Sequence, residues 1–335
     1  MSSQATVALF GAGSWGTALA MQLARNGARV NLWGHEPEHV QNLLEHGENR
    51  QFLPGIKLDK NIHPQASLEA CLDRADVVLI AIPSKAFREF LQQLRPLVNA
   101  QISIFWASKG FEIESGKLLH ALVLEELPGH HYGIISGPTF ASEVARGLPA
   151  AITCAGDDAD ATAFFAGLLH GSRFRCYTSD DVIGVELGGA LKNILAIAVG
   201  IADGLGFGAN TRAALMTRGL SEVMRLGLRL GAQQETLMGL AGLGDLILTC
   251  TDDQSRNRRF GLAVGRGKTI EQAMIEVEQT VEGYRAARAI FLLSQALTLE
   301  LPIMEQVYRV LYDGVKPLDA VQSLENRPQR PEFAH

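Results

Sequence analysis

Lys192 lies in the middle of residues 186–198, a stretch otherwise made mostly of small and aliphatic residues. Lysine is rarely buried outright. On the structural reading its stem packs while its head reaches water. On the chemical reading it sits in a closed cleft, where desolvation and a neighbouring cation depress its pKa until it accepts a proton at neutral pH. A dehydrogenase needs such a group. When hydride leaves a carbinol carbon the hydroxyl proton must leave too, and in reverse the nascent alkoxide must be protonated. Other polar islands stand in glycine-rich apolar surroundings at Ser108-Lys109-Gly110, at Gly137-Pro138-Thr139-Phe140-Ala141 and at Gly239-Leu240-Ala241-Gly242-Leu243-Gly244-Asp245. Ser255-Arg256-Asn257-Arg258-Arg259 is a basic cluster in an acidic chain. It reads either as a solvated face or as a phosphate site, because guanidinium grips phosphate in a bidentate fork. Together these residues point to a phosphorylated hydroxy or keto substrate.

A second signal is the glycine turn Gly11-Ala12-Gly13-Ser14-Trp15-Gly16. It follows a β-prone run at residues 6–10 and opens a helix expected over 13–26. In that context the first glycine makes the tight turn, the second lets backbone N–H groups approach a pyrophosphate, and the third lets helix pack on strand. The helix N-terminus adds partial positive charge. The next strand, expected at 29–33, ends in Trp33-Gly34-His35-Glu36. An acid at that point bonds a ribose 2′-hydroxyl, whereas a neutral or cationic donor tolerates a 2′-phosphate. His35 stands nearer the strand end than Glu36, which favours NADPH over NADH.

Two further motifs imitate other chemistries. His35-Glu36-Pro37-Glu38-His39 matches the His-Glu-x-x-His of zinc proteases. That motif needs both histidines on one face of a continuous helix. Pro37 is tolerated only in a first turn, which leaves His35 before the helix, and no third ligand follows. No metal is expected. Gly265-Arg266-Gly267-Lys268-Thr269 imitates the end of a P-loop, but Leu262 occupies the place of its first glycine and no strand precedes it, so a surface turn is expected.

The elements that must hold these groups divide the chain. Apolar runs at 6–10, 29–33, 77–82, 102–106, 132–135 and 150–154 are separated by stretches long enough for crossover helices. They predict an α/β fold with an N-terminal Rossmann-type parallel sheet. From about residue 180 the strand signal stops, and segments 182–202, 211–230, 269–277, 284–298 and 302–312 have the length and period of helices. The expected division is a dinucleotide-binding domain over 1–180 and an all-α substrate-binding domain over 181–335. No low-complexity linker intervenes, so a packed interface is expected near 175–185, the kind of place binding sites favour. A length of 335 residues suits two domains, and 47% apolar with 20% charged residues suits globular folding. Glycine is in excess at 34 residues. A net charge of −6 without a long basic run argues against nucleic acid as a partner. The four scattered cysteines give neither a zinc framework nor a disulfide pattern, and the N-terminal stretch lacks the early positive charge of a secretory signal. A cytoplasmic setting without stable membrane insertion is expected.

The same islands, in this order, are similar to bacterial NAD(P)-dependent glycerol-3-phosphate dehydrogenases. The resemblance covers nearly the whole chain. It is carried by the glycine turn, Ser108-Lys109-Gly110, Gly137-Pro138-Thr139-Phe140-Ala141, Leu191-Lys192-Asn193-Ile194 and Asp203-Gly204-Leu205-Gly206-Phe207-Gly208-Ala209-Asn210. Thr217-Arg218-Gly219-Leu220, Gly242-Leu243-Gly244-Asp245-Leu246, Ser255 to Gly261 and Val281-Glu282-Gly283 complete it. It implies interconversion of sn-glycerol 3-phosphate and dihydroxyacetone phosphate with NADPH or NADH, mainly supplying glycerol 3-phosphate for phospholipid synthesis. It further implies that Lys192 is the proton acceptor, with Lys109 and Asp245 completing the polar site around the substrate oxygen. Ser255, Arg256 and Asn257 match the substrate-binding segment, Gly137 and Thr139 line the same pocket, and Asn193 contributes beside Lys192. Gly11, Gly13, Ser14, Trp15, Gly16, His35, Lys109, Ala141, Arg256, Val281 and Glu282 match cofactor-contacting positions. Thr280-Val281-Glu282 departs from the two valines the family often has before the glutamate, which leaves the contact at Thr280 or Val281 open. The bulky Phe105-Trp106-Ala107 is also unusual before Ser-Lys-Gly. A homodimer is implied by the resemblance alone. The competing readings are a related two-domain dehydrogenase of 3-hydroxy acids or ketopantoate, which would recognise a carboxylate, and a non-catalytic dinucleotide-binding regulator.

Overall fold

The computed structural model describes residues 4–277, 281–329 and 331–332. Eight strands form one sheet: β1 (Thr6–Phe10), β2 (Arg29–Trp33), β3 (Ile62–Gln65), β4 (Val77–Ile80), β5 (Ser103–Trp106), β6 (Tyr132–Ser136), β7 (Ala150–Gly156) and β8 (Phe174–Ser179). Their order is β3-β2-β1-β4-β5-β6-β7-β8, and every neighbouring pair is parallel except β6 with β7. The first six follow the 3-2-1-4-5-6 order of dinucleotide-binding sheets, in which ligands lie beyond the carboxyl ends at the β1/β4 switch. The α/β expectation holds. The two strands the sequence hid are the edges. β3 carries Pro64, which a sheet tolerates at an edge, and β8 exposes Arg175 and Tyr177.

The helices are α1 (Ser14–Arg25), α2 (Pro37–His46), α3 (Leu68–Leu72), α4 (Phe87–Leu94), α5 (Leu119–Glu126), α6 (Ala141–Ala145), α7 (Ala159–Leu169) and α8 (Val182–Gly204). After them come α9 (Ala209–Arg229), α10 (Gln234–Met238), α11 (Asp245–Thr251), α12 (Arg256–Gly265), α13 (Ile270–Val277), α14 (Glu282–Leu297), α15 (Pro302–Tyr312) and α16 (Pro317–Glu325). The chain forms two compact units, one of Met1–Gly189 with Gly227–Leu248, the other of Ala190–Leu226 with Thr249–His335. The boundaries between these units fall inside α8, α9 and α11.

In the first unit, alternate residues of each strand sort to opposite faces. Val7, Leu9, Val30, Leu32 and Leu79 pack with α1 and α7 through Leu19, Leu23, Phe165 and Leu169. Ala8, Phe10, Val78, Ile80 and Trp106 pack with α4 and α5 through Phe87, Leu91, Leu122 and Val123. Both faces are covered, which is why the strands read as unbroken apolar runs.

In the second unit, α8 and α12 touch backbone to backbone. A Cβ added at Gly200 would lie 2.2 Å from the Arg258 carbonyl oxygen, and one at Gly261 2.2 Å from that of Ile197. At Gly204 and Gly265 the corresponding approaches are 2.5 Å to Leu262 O and 2.3 Å to Ile201 O. Each helix thus presents two glycines one turn apart to the other. α8 is long and apolar enough to cross a membrane, yet 83% of its apolar window is buried inside the protein, as in a core helix. Gly265 ends α12 and Gly267 turns the chain with φ +90°, the turn expected there.

Candidate active site

The glycine turn joins β1 to α1. Gly11 has φ +120°, a conformation that excludes L side chains, and its added Cβ would lie 2.5 Å from Ala81 O at the end of β4. A Cβ on Gly16 would lie 1.8 Å from Gly11 O. The fold itself demands these two. Gly13 is different: a Cβ there meets no described atom within 4 Å. It is the N-cap of α1 in extended conformation, and no side chain caps that helix end. A side chain at Gly13 would fill only the space before the first N–H groups of α1, which is the cradle a pyrophosphate requires. Ser14 and Trp15 form the first turn of α1, both half-buried.

His35 follows β2 directly and is exposed, its ring edge-on to Trp33 at 5.9 Å. Glu36 is the N-cap of α2 and Pro37 its first residue, so His35 lies outside the helix that carries the buried His39. The two histidines of the zinc-like motif do not share a helical face. Among the described residues no group of three or more His, Cys, Asp or Glu could hold a metal.

At the carboxyl end of β5, Ser108 Oγ donates to Ile82 O at 2.5 Å, and Gly110 has φ +131°. These bends hold Lys109, whose Nζ donates to Asp245 Oδ2 at 2.7 Å. Asp245 is fully buried and the Lys109 side chain nearly so. A carboxylate taken out of water in this way needs its cation. Asp245 ends a π-helical turn over Leu240–Gly244 and begins α11. The wide turn is possible because Gly242 leaves room for Leu237 O, which a Cβ would approach to 2.0 Å. π turns of this kind recur at functional sites. The loop after β6 packs on it, Pro138 lying 3.6 Å from the Cβ position of Gly244. Within that loop Thr139 Oγ1 donates to Gly137 O at 3.2 Å, and Ala141 opens α6. A Cβ added at Gly189 of α8 would lie 2.9 Å from Ser136 Oγ and 3.3 Å from the Lys109 stem. Three residues before it, buried Glu186 accepts from the His120 backbone N–H at 3.0 Å and pairs with His120 Nδ1. Burial raises the Glu186 carboxyl above its usual range, against the pull of His120. Burial alone would lower His120, but the hydrogen bond and charge of Glu186 outweigh it and raise the imidazole above its ordinary value.

In the second unit Lys192 is half-buried between buried Leu191 and Asn193. Asn193 Oδ1 accepts from Asn257 Nδ2 at 2.9 Å, and Asn257 Oδ1 accepts from the Gly283 N–H at 2.9 Å. Gly283 could be no other residue, since a Cβ would lie 2.6 Å from Asn193 O. The bonded line joins the residues that follow Lys192, Arg256 and Glu282. Ser255 caps α12, its Oγ accepting from Arg258 N at 3.3 Å. Arg256 is the exposed first residue of that helix.

The basic cluster does not act as one cradle of three arginines. Arg258 turns inward, where its Nη2 donates to buried Asp203 at 2.6 Å and its other terminal nitrogen pairs with Asp253. Arg212 holds the second Asp203 oxygen at 3.0 Å. Asp203 thus ties the end of α8 to α12, a role its sequence signalled only by an acid closing an apolar helix. Glu282 begins α14 with buried Val281 as its N-cap, so the Val281 side chain belongs to the core. Thr280 lies outside the described residues.

Residues 6–162 match the model of the NAD-dependent glycerol-3-phosphate dehydrogenase N-terminus and residues 181–322 that of its C-terminus. The glycerol-3-phosphate dehydrogenase (NAD(P)+) of Thioalkalivibrio sulfidiphilus is 53% identical over 99% of this chain and all of its own. That of Shewanella halifaxensis is 51% identical over 99% of this chain and 98% of its own. The crystal structure of glycerol-3-phosphate dehydrogenase from Coxiella burnetii superposes with a TM-score of 0.94 at 46% identity, covering 97% of this chain and 99% of that one. The chain therefore belongs to the NAD-dependent glycerol-3-phosphate dehydrogenase family.

Proposed function

We propose that the protein interconverts sn-glycerol 3-phosphate and dihydroxyacetone phosphate by hydride transfer with NADPH or NADH, NADPH being favoured. The observation that carries this reading is the bonded line Asn193–Asn257–Gly283. It links the neighbours of a proton carrier, a phosphate anchor and a cofactor-facing carboxylate, which together make a dehydrogenase of a phosphate-bearing substrate. Residues 1–180 carry the dinucleotide functions and 181–335 most of the substrate functions.

Gly11, Gly13, Ser14, Trp15 and Gly16 receive the pyrophosphate at the N-terminus of α1, His35 receives the 2′-phosphate, and Ala141, Glu282 and the backbone of Val281 contribute further contacts. Bound there, the nicotinamide supplies or takes up the hydride. Arg256 at the start of α12 holds the substrate phosphate, with Ser255 fixing the helix start and Asn257 fixing its neighbours. Anchoring the charged end uses binding energy from a non-reacting group to orient the reacting carbon. Gly137 and Thr139 bound the three-carbon chain. Lys192 gives its proton to the carbonyl oxygen as that oxygen gains charge, and takes it back in the reverse direction. Lys109, held by Asp245, donates a hydrogen bond to the same oxygen and stabilises its negative charge. In the cell the product feeds phospholipid synthesis, the setting is the cytoplasm, and the working form is a homodimer, each supported by the family resemblance.

Oxidation of NADPH and NADH should be followed with dihydroxyacetone phosphate and, as control, with ketopantoate. Turnover confined to the phosphorylated ketone is expected. Equal turnover of the carboxylate ketone, or none with dihydroxyacetone phosphate, overturns the reading.

A further inference from the structure

Asn49 has no part in the roles above, yet its side chain uses its full hydrogen-bonding capacity next to the glycine turn. It is 1% exposed. Its Nδ2 donates to Ala12 O and to Thr17 Oγ1, both at 2.8 Å. Its Oδ1 accepts from the Phe52 N–H at 3.1 Å and meets His39 Nε2 at 3.1 Å. Two donors and two acceptors are all an amide possesses. Because Oδ1 only accepts, the His39 proton resides on Nε2. His39 is itself buried, with its ring edge-on to Phe52 at 5.1 Å. The second histidine of the zinc-like motif is thus a donor to an asparagine.

The geometry has a directional effect. Ala12 stands between Gly11 and Gly13, and in a trans peptide the C=O and the following N–H point in opposite directions. Holding the Ala12 carbonyl toward Asn49 aims the Gly13 N–H away from it, out of the turn. The same amide reaches through His39 to α2, whose N-cap Glu36 directly follows His35. One buried side chain therefore braces both cofactor loops of the first unit.

We propose that Asn49, backed by His39, is a positioning residue for the dinucleotide, setting the peptide that faces the pyrophosphate. The inference rests on the cofactor reading given above. The test titrates NADPH and NADH against the full-length protein and its variants by quenching of protein fluorescence, alongside steady-state kinetics. Asn49→Ala is expected to raise the Kd for NADPH roughly tenfold, the loss of about one buried hydrogen bond's worth, with kcat at saturating NADPH and KM for dihydroxyacetone phosphate within about twofold of wild type. Asn49→Asp fills the same space and still accepts from Phe52 and His39, but offers Ala12 O no donor, and should lose at least as much. His39→Ala should lose about threefold and His39→Gln, which restores a donor, should recover it. An unchanged Kd in Asn49→Asp, or a parallel loss of kcat, Kd and substrate KM in every soluble variant, overturns the proposal. Should Asn49→Ala not fold, the two His39 variants decide by the presence or absence of recovery. Wild-type protein that binds neither dinucleotide defeats instead the cofactor reading of the turn.

Discussion

The glycines of the first unit's turn and those of the second unit's helix crossing answer different constraints. In the turn, Gly11 and Gly16 are set by the backbone around them, while a Cβ at Gly13 would meet no described atom within 4 Å. In the crossing, Gly200, Gly204, Gly261 and Gly265 all face a carbonyl of the opposite helix. Glycine in a helix interior costs about 1 kcal/mol relative to alanine, a cost the crossing accepts at Gly200 and Gly261 so that two helices can meet without side chains between them. On the proposed cofactor reading, the contrast predicts that binding and stability respond to different substitutions.

The largest effect should come from chemistry borne by the crossing. Lys192→Ala is expected to lower kcat by at least ~10² while leaving the Kd for NADPH unchanged. Stopped-flow turnover with a parallel cofactor titration checks both, and near-normal kcat would remove Lys192 from proton transfer. Next is Gly261→Ala, which drives a methyl against Ile197 O and should cost about 3 kcal/mol of stability by overpacking, read as a lower Tm. Gly13→Ala should do the opposite, holding Tm within a degree or so while weakening NADPH binding roughly tenfold. If the two alanines gave the same profile, the distinction between them would fail. A smaller change is expected from His35→Asp, which should move the NADPH-to-NADH ratio of kcat/KM several-fold toward NADH; a fixed ratio takes His35 out of 2′-phosphate recognition.

The smallest effect concerns pH. His120 titrates above its ordinary value in the folded protein, so its contribution to stability is complete below the unfolded value near 6.5 and is lost as pH rises through the raised one. Glu186, also raised, acts with the same sign from lower pH upward. Urea midpoints measured between pH 6 and pH 9 should fall in the wild type and flatten once both groups are removed, in His120→Ala/Glu186→Gln. A wild-type midpoint that climbs over that range contradicts the pairing.

Much of this was legible beforehand. The turn was, because Gly11 and Gly16 answer to local backbone geometry, and Lys109 and Lys192 could be singled out as lone charges in apolar sequence. What the sequence concealed was which polar residues turn inward. Arg258 and Arg256 are two places apart in one basic run, yet one neutralises Asp203 and the other faces outward, a choice made by the helix face and not by residue type. Asn257 has the chemistry of a phosphate ligand and also of the internal joint it forms with Asn193 and Gly283. The edge strands were hidden for a related reason, since β3 carries a proline and β8 alternates with exposed residues. Asp245 could be singled out, but its lysine partner lies 136 residues away along the chain.

The crossing also orders events during synthesis. Gly200 emerges from the ribosome well before Arg258, the residue whose carbonyl it must meet, and at roughly 5–20 residues per second the wait amounts to several seconds. For that interval α8, a long apolar helix, is made but has no α12 to bury it. A nascent chain in this state displays a surface that chaperones for exposed apolar segments recognise. Its capture should therefore peak in chains halted after α8 has left the exit tunnel and before α12 has, and subside once α12 is out.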